Sequence, residues 1–184
     1  MPELPEAEVA ARQLRERVVG ATVRDCWIGR EDIVREGLPS LDQYRQAKIA
    51  GVERKGKSVI LHFLCGKEPR FLVAELGMTG LLLFRSTLTK HPQHTHFILH
   101  LDGCCEPDIR YWNPRRFGRL SLLDQAGLDR YVARRFGHDP LTISHEQFLR
   151  VLRATRSRLK SLLMHQQVIA GIGMRSISGG RLLG

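Results

Sequence analysis

The middle of the chain is a succession of short apolar runs cut by turn formers, and this punctuation restricts the fold more than any other feature. Residues 58–64 (Ser-Val-Ile-Leu-His-Phe-Leu), 71–74 (Phe-Leu-Val-Ala) and 81–84 (Leu-Leu-Leu-Phe) are each bounded by Gly, Lys or Pro. Apolar runs of about four to eight residues between such borders have the length of strands. Residues 95–101 (Thr-His-Phe-Ile-Leu-His-Leu) alternate in part, as a half-exposed strand does. Ahead of them, residues 6–19 read as a helix. Val9, Leu14 and Val18 fall on one side, Glu6 sits in the first turn where a carboxylate suits the dipole, and Gly20 closes the element. The expected class is α+β: an N-terminal helix plus an antiparallel β-sandwich.

The texture changes after the Gly137-His138-Asp139-Pro140-Leu141 turn. Residues 144–155 read as a helix with Ser144 as N-cap and Phe148, Leu149 and Leu152 apolar. Residues 157–169 read as another, with Leu159, Leu162, Leu163 and Val168 apolar. This places a boundary near residue 136, dividing a strand-rich domain (1–136) from a partial helical domain (137–184). The glycine-rich stretch 171–184 shows no clear period and receives no assignment. Asp139-Pro140 reads as a turn only.

Charge narrows the partner. The 184 residues carry a net +10 with a pI near 10.1, which points to a polyanion, nucleic acid being the commonest. From Tyr131 to Gly184 there are nine Lys and Arg against two Asp and Glu. These charges lack the apolar, aromatic-lined helix face of a membrane-surface binder. No apolar run approaches the roughly 20 residues of a membrane span, and the acidic, proline-bearing start is unlike a signal peptide. The expected location is cytoplasmic.

Cys26, Cys65, Cys104 and Cys105 form no Cys-x-x-Cys pair and are expected to stay reduced. His91, His94, His96 and His100 lie close together, but 94, 96 and 100 share a strand face, and no metal site is expected.

Pro2 is the first residue with chemistry of its own. Once Met1 is removed it presents a secondary amine, whose pKa lies well below that of lysine, so a usable fraction is neutral and nucleophilic near pH 7. Such an amine can attack the anomeric carbon of a sugar and form an iminium. The iminium acidifies the neighbouring hydrogen and permits elimination, with Glu3 beside it to carry the proton.

The opening Met-Pro-Glu-Leu-Pro-Glu-Ala-Glu-Val resembles the start of the formamidopyrimidine-DNA glycosylase and endonuclease VIII family. Further blocks match in order: Arg54-Lys55-Gly56-Lys57, Leu76-Gly77-Met78-Thr79-Gly80, and Asn113-Pro114-Arg115-Arg116-Phe117-Gly118. A fifth, from Leu159-Lys160 through Gln166 to Gly173, resembles the opening of that family's helix-two-turn-helix element. Taken singly, each residue has a plain structural explanation, so the order of the blocks carries the argument.

The resemblance implies base-excision repair of double-stranded damaged DNA by a monomer with glycosylase and strand-cleaving lyase activity. Ring-opened and oxidised purines are the favoured substrates, released through a Pro2 Schiff base and followed by β/δ-elimination. Glu3 would be the general acid-base with Glu6 in support, and Lys57 would contact a phosphate beside the lesion. Met78, Arg115 and Phe117, with Arg116 in the same block, would enter the duplex where the base has left, an apolar wedge and a guanidinium plane filling the stacking void. Lys160 would hold a backbone phosphate. No metal or organic cofactor is implied, since the family's C-terminal zinc finger has no counterpart in the sequence.

Three departures stand out. Met174 occupies a place normally held by a backbone-contacting asparagine, and the following residues match nothing in the family. Asn113 replaces an aspartate, which is expected to loosen the Arg115–Phe117 loop. His165 replaces an acidic or amide residue. The alternatives to an active enzyme are a non-catalytic DNA-binding remnant of the same family and a fragment that does not fold stably alone.

Overall fold

The computed structural model describes residues 2–85, 92–155 and 157–179. Helix α1 (Leu4–Val18) leads into a nine-stranded sheet formed by β1 (Thr22–Ile28), β2 (Val34–Glu36), β3 (Lys48–Lys55), β4 (Ser58–Cys65), β5 (Glu68–Glu75), β6 (Leu81–Phe84), β7 (Thr95–Asp102), β8 (Asp108–Trp112) and β9 (Arg119–Leu123). The strand order is β2-β9-β5-β4-β3-β1-β7-β8-β6, antiparallel throughout except for the short parallel β2–β9 pair. Helices α2 (Gln125–Arg135), α3 (His145–Arg153), α4 (Leu159–Met164) and α5 (Met174–Gly179) follow.

The sheet is nearly cut in two. β1 meets β3 through the single pair Thr22–Lys48, whereas β3–β4 and β4–β5 are zipped along their lengths. The inner faces of both halves share one core: Val23 and Cys26 of β1 and Phe97, Leu99 and Leu101 of β7 cluster with Ile49, Leu61, Leu72 and Leu122 from the other half. The sandwich expectation and the α+β class both describe this arrangement.

Strand β4 reads as a continuous apolar run because it is buried on both faces. Val59, Leu61 and Phe63 enter the main core, while Ile60 packs with Phe71, Val73 and Leu123 under Leu128 and Tyr131 of α2. Asp124 starts α2, its carboxylate accepting from the Gly127 N–H at 2.7 Å.

Two helical readings change. In α1 the buried side is Leu4, Ala7, Ala11, Leu14 and Val18, and Val9 is 54% exposed. The small alanines let the helix lie close on β3 and β4, a face that large apolar residues alone did not reveal. The helix read over residues 157–169 is α4 alone. The chain turns at His165 because Gln166 ties the next stretch: its Oε1 accepts from Gly171 N–H, and its Nε2 donates to the carbonyls of Met164 and Ile172. Ser144 caps α3 as expected, accepting from Gln147 N–H at 3.2 Å.

The turn at residues 137–141 does more than reverse the chain. Asp139 Oδ2 accepts from Arg54 Nη2 at 2.6 Å, and Arg54 Nε also donates to Glu8 at 2.9 Å. One guanidinium, 6% exposed, thereby ties α1, β3 and the start of the helical segment together.

Candidate functional site at the start of the chain

The site is built where residues 171–176 return to the head of α1. Leu4 N–H donates to the Gly171 carbonyl at 3.1 Å, and residues 137–138 and 166–170 exchange further backbone bonds that hold this segment in place. Gly173 is required by the approach: a Cβ there would stand 2.4 Å from Glu3 Oε1.

Glu3 is 2% exposed, and its carboxylate is well supplied with donors. Oε1 accepts from Arg175 N–H at 2.8 Å, and Oε2 accepts from Ser176 N–H at 2.9 Å and from the Ser176 hydroxyl. Burial pushes the Glu3 pKa up, but the Ser176 hydroxyl, the two amides and the charge of Lys57 together hold it below the usual glutamate value. Glu6 supports its neighbour from within α1, its Oε2 accepting the Glu3 N–H at 3.0 Å.

Lys57 sits half-buried in the turn between β3 and β4. Burial draws its ammonium below the ordinary lysine range, and the Glu3 carboxylate pulls in the opposite direction. Pro2, half-buried, opens onto a cleft of about 440 Å³ that it shares with Glu6, Val9, Leu76 and Leu82. Pro2 thus stands in a cleft with largely apolar walls, and the next residue in the chain is a buried carboxylate that feels the charge of Lys57.

The Met78 turn and the Arg115–Phe117 loop interlock beside that cleft. Gly77 has φ +61° and lies so close to the second loop that a Cβ would meet Gly118 N at 2.4 Å. Thr79 Oγ1 donates across the gap to Asn113 Oδ1 at 3.2 Å. Met78 is half-buried, whereas Arg115 and Phe117 project outward, the guanidinium lying 5.0 Å from the ring centroid and the ring 56% exposed. Arg116, at φ 54°, turns away to within 3.8 Å of Asp32.

Asn113 does not loosen this loop. It is fully buried: Oδ1 also accepts from Arg116 N–H, Nδ2 donates to the Tyr111 hydroxyl at 3.0 Å, and its carbonyl accepts from His96 Nε2. Tyr111 in turn donates to the Glu75 carbonyl at 2.6 Å, so its oxygen needs a donor from residue 113. An amide supplies one and a carboxylate does not.

Lys160 lies exposed in the first turn of α4, apart from these groups. Met174 is 48% exposed and opens α5, an element that no periodicity in residues 171–184 announced. Among the described residues no three His, Cys, Asp or Glu side chains gather into a metal-holding group. His94 stacks edge-on with Trp112, and His91 lies outside the described residues. No described helix is long and apolar enough to cross a membrane. Sequence reasoning missed Gly173 and Ser176 as neighbours of Glu3, because residues 170 and 173 positions away carry no local signal of contact.

Comparison with known proteins shows the family of the chain. Residues 1–120 match the Formamidopyrimidine-DNA glycosylase N-terminal domain family. A formamidopyrimidine-DNA glycosylase of Thermomicrobium roseum is 36% identical over 94% of this chain, and one of Desulforamulus reducens is 33% identical over the same share. The chain spans 64% and 63% of those two relatives. A crystal structure of Lactococcus lactis formamidopyrimidine-DNA glycosylase, bound non-covalently to DNA containing an abasic site, superposes with a TM-score of 0.76 at 25% identity. That match covers 93% of this chain and 65% of the other.

Proposed function

Because the chain belongs to the formamidopyrimidine-DNA glycosylase family, we propose that it excises ring-opened and oxidised purines from duplex DNA and cuts the strand at the resulting site. The observation that carries this reading is the junction at the chain's start, where Pro2 faces an open cleft while Glu3 is buried beside Lys57.

In this mechanism the Pro2 nitrogen, freed by removal of Met1, forms a bond to C1′ of the damaged nucleotide. The bond from C1′ to the base breaks and the base leaves with a proton; the nitrogen then gives up its own proton, the C1′–O4′ bond opens with O4′ taking a proton, and nitrogen and C1′ become an iminium. That cation acidifies C2′–H; loss of this proton expels the 3′ phosphate, and a second elimination expels the 5′ phosphate. Glu3 carries the protons, and Lys57 sits where a phosphate flanking the lesion would pass. Met78, Arg115 and Phe117 fill the vacated stack, with Arg115 reaching the orphaned base. Arg116 and Lys160 contribute charge along the backbone.

Residues 1–136 form the catalytic domain on this reading and residues 137–184 a helical DNA-binding portion. The protein acts as a cytoplasmic monomer, and its chemistry calls for neither metal nor organic cofactor.

The test is borohydride trapping on duplex DNA with a single abasic site, comparing the protein with Pro2→Gly and Glu3→Gln. A covalent adduct that disappears in Pro2→Gly is the expected result. If folded, Met1-processed protein gives no adduct yet still binds the duplex with steep salt dependence, the chain is a binding remnant and the catalytic reading is wrong.

A further inference from the structure

Arg175 and Ser176 lie beyond the sequence blocks that carry the family resemblance, yet they hold the Glu3 carboxylate. Two of the three donors are backbone amides, which almost any residue at 175 and 176 would offer. The third is the Ser176 hydroxyl, a property of that side chain alone. It meets Oε2, the oxygen that also takes the Ser176 amide, while Oε1 takes the Arg175 amide. Both carboxylate oxygens are thus oriented from one side.

We propose that Ser176 is a positioning residue of the catalytic centre, its hydroxyl fixing Glu3 as an oriented carboxylate so that Glu3 enters the reaction as a proton acceptor. This rests on the catalytic reading above. The charged groups around Glu3 are few. Lys57 faces it from the turn between β3 and β4, and the Pro2 amine is its chain neighbour. Glu6 takes its backbone N–H from α1, and Arg175 directs its guanidinium to Glu6 at 3.8 Å rather than to Glu3. None of these is a neutral donor that could replace the hydroxyl.

The chemical consequence is a defined first proton transfer. A protonated Pro2 ammonium has no lone pair for C1′. Glu3, as carboxylate, accepts one ammonium proton and becomes the carboxylic acid; the nitrogen lone pair then forms the N–C1′ bond. The proton now on Glu3 is available to the departing base, which returns Glu3 to the carboxylate.

The test compares Ser176→Ala and Ser176→Thr in the full chain with two measurements. The first is a 13C NMR titration of the glutamate side-chain carboxyl carbons, the Glu3 signal being assigned by its absence in Glu3→Gln. The second is the single-turnover rate of borohydride-trapped adduct formation as a function of pH. Losing one hydrogen bond to the charged form should raise the Glu3 midpoint in Ser176→Ala by about one pH unit and move the acid limb of the rate profile with it. Ser176→Thr, which keeps a hydroxyl, should restore both. A midpoint unmoved in Ser176→Ala, or a shift that Ser176→Thr reproduces, overturns the role. Ser176 lies on the exposed surface, so neither variant disturbs the core. If the parent protein forms no adduct, the catalytic reading fails, and the titration still decides whether the hydroxyl holds Glu3 ionised.

Discussion

Replacing Arg54 with methionine removes a guanidinium that bonds at once to Glu8 at 2.9 Å, Asp139 at 2.6 Å and the Gly56 carbonyl at 3.2 Å. The Arg54 side chain is 6% exposed, and those of its two carboxylate partners 21% and 19%. Breaking a buried pair by deleting one partner costs about 3–5 kcal/mol, because the remaining charge is left desolvated. Glu8 keeps a second cation in Arg12, and both carboxylates retain some access to water, so the lower end applies, about 3 kcal/mol. For a chain of this size that corresponds to a fall in Tm of about 6–12 °C. Thermal unfolding followed by circular dichroism at pH 7 measures it directly. Combining Arg54→Met with Glu8→Gln and Asp139→Asn removes the stranded charges and should recover part of the loss. A fall of less than about 2 °C, or a triple variant no more stable than the single one, would refute the argument that Arg54 pins the helical segment to the sandwich.

The depressed pKa of Glu8, owed first to its bond with Arg54, makes acid stability a second readout. The stability it adds is present above the ordinary glutamate value near 4.5 and fades as pH falls through the lower folded value, so Tm plotted from pH 6 to pH 3 should decline less steeply in Arg54→Met. Asn113→Asp should cost about 1–3 kcal/mol by facing a carboxylate oxygen toward the Tyr111 hydroxyl; an unchanged denaturant midpoint would count against that bond. Phe117→Ala, at an outward-facing ring, should leave Tm within about 2 °C while weakening binding to abasic duplex by roughly tenfold in fluorescence anisotropy, consistent with about 1–3 kcal/mol for stacking on a base. Equal affinity in the two proteins would remove Phe117 from the duplex-entering group.

The strands were legible because β4, β5, β6 and β7 announce themselves by apolar content between turn formers, and the apolar runs around residues 60 and 72 match the doubly covered middle of the sandwich. α1 was legible as a helix, and Leu14 and Val18 of its buried face with it, but Ala7 and Ala11 were not, since they bury by closeness rather than by size. α4 was overread because apolar spacing continues past Met164, while the competing bonds of Gln166 are visible only in three dimensions. The motif blocks singled out Pro2, Glu3, Lys57, Met78, Arg115 and Phe117 as candidates. What encloses Glu3 was hidden, because Gly173 and Ser176 meet it across nearly the whole chain.

That separation of 173 residues between Glu3 and Ser176 bears on the order in which the molecule is made. A ribosome adding about 5–20 residues per second exposes α1 and every strand of the sandwich before the last residues of the site exist. The core can close on its own contacts, since none of its strands waits for residue 171 or beyond. Through that interval the nascent protein is a folded scaffold whose Glu3 still lacks its amide and hydroxyl donors. The donors of the Glu3 carboxylate therefore arrive after the architecture, and a proteolytic cut between α4 and α5 would return a mature molecule to the same folded condition without them.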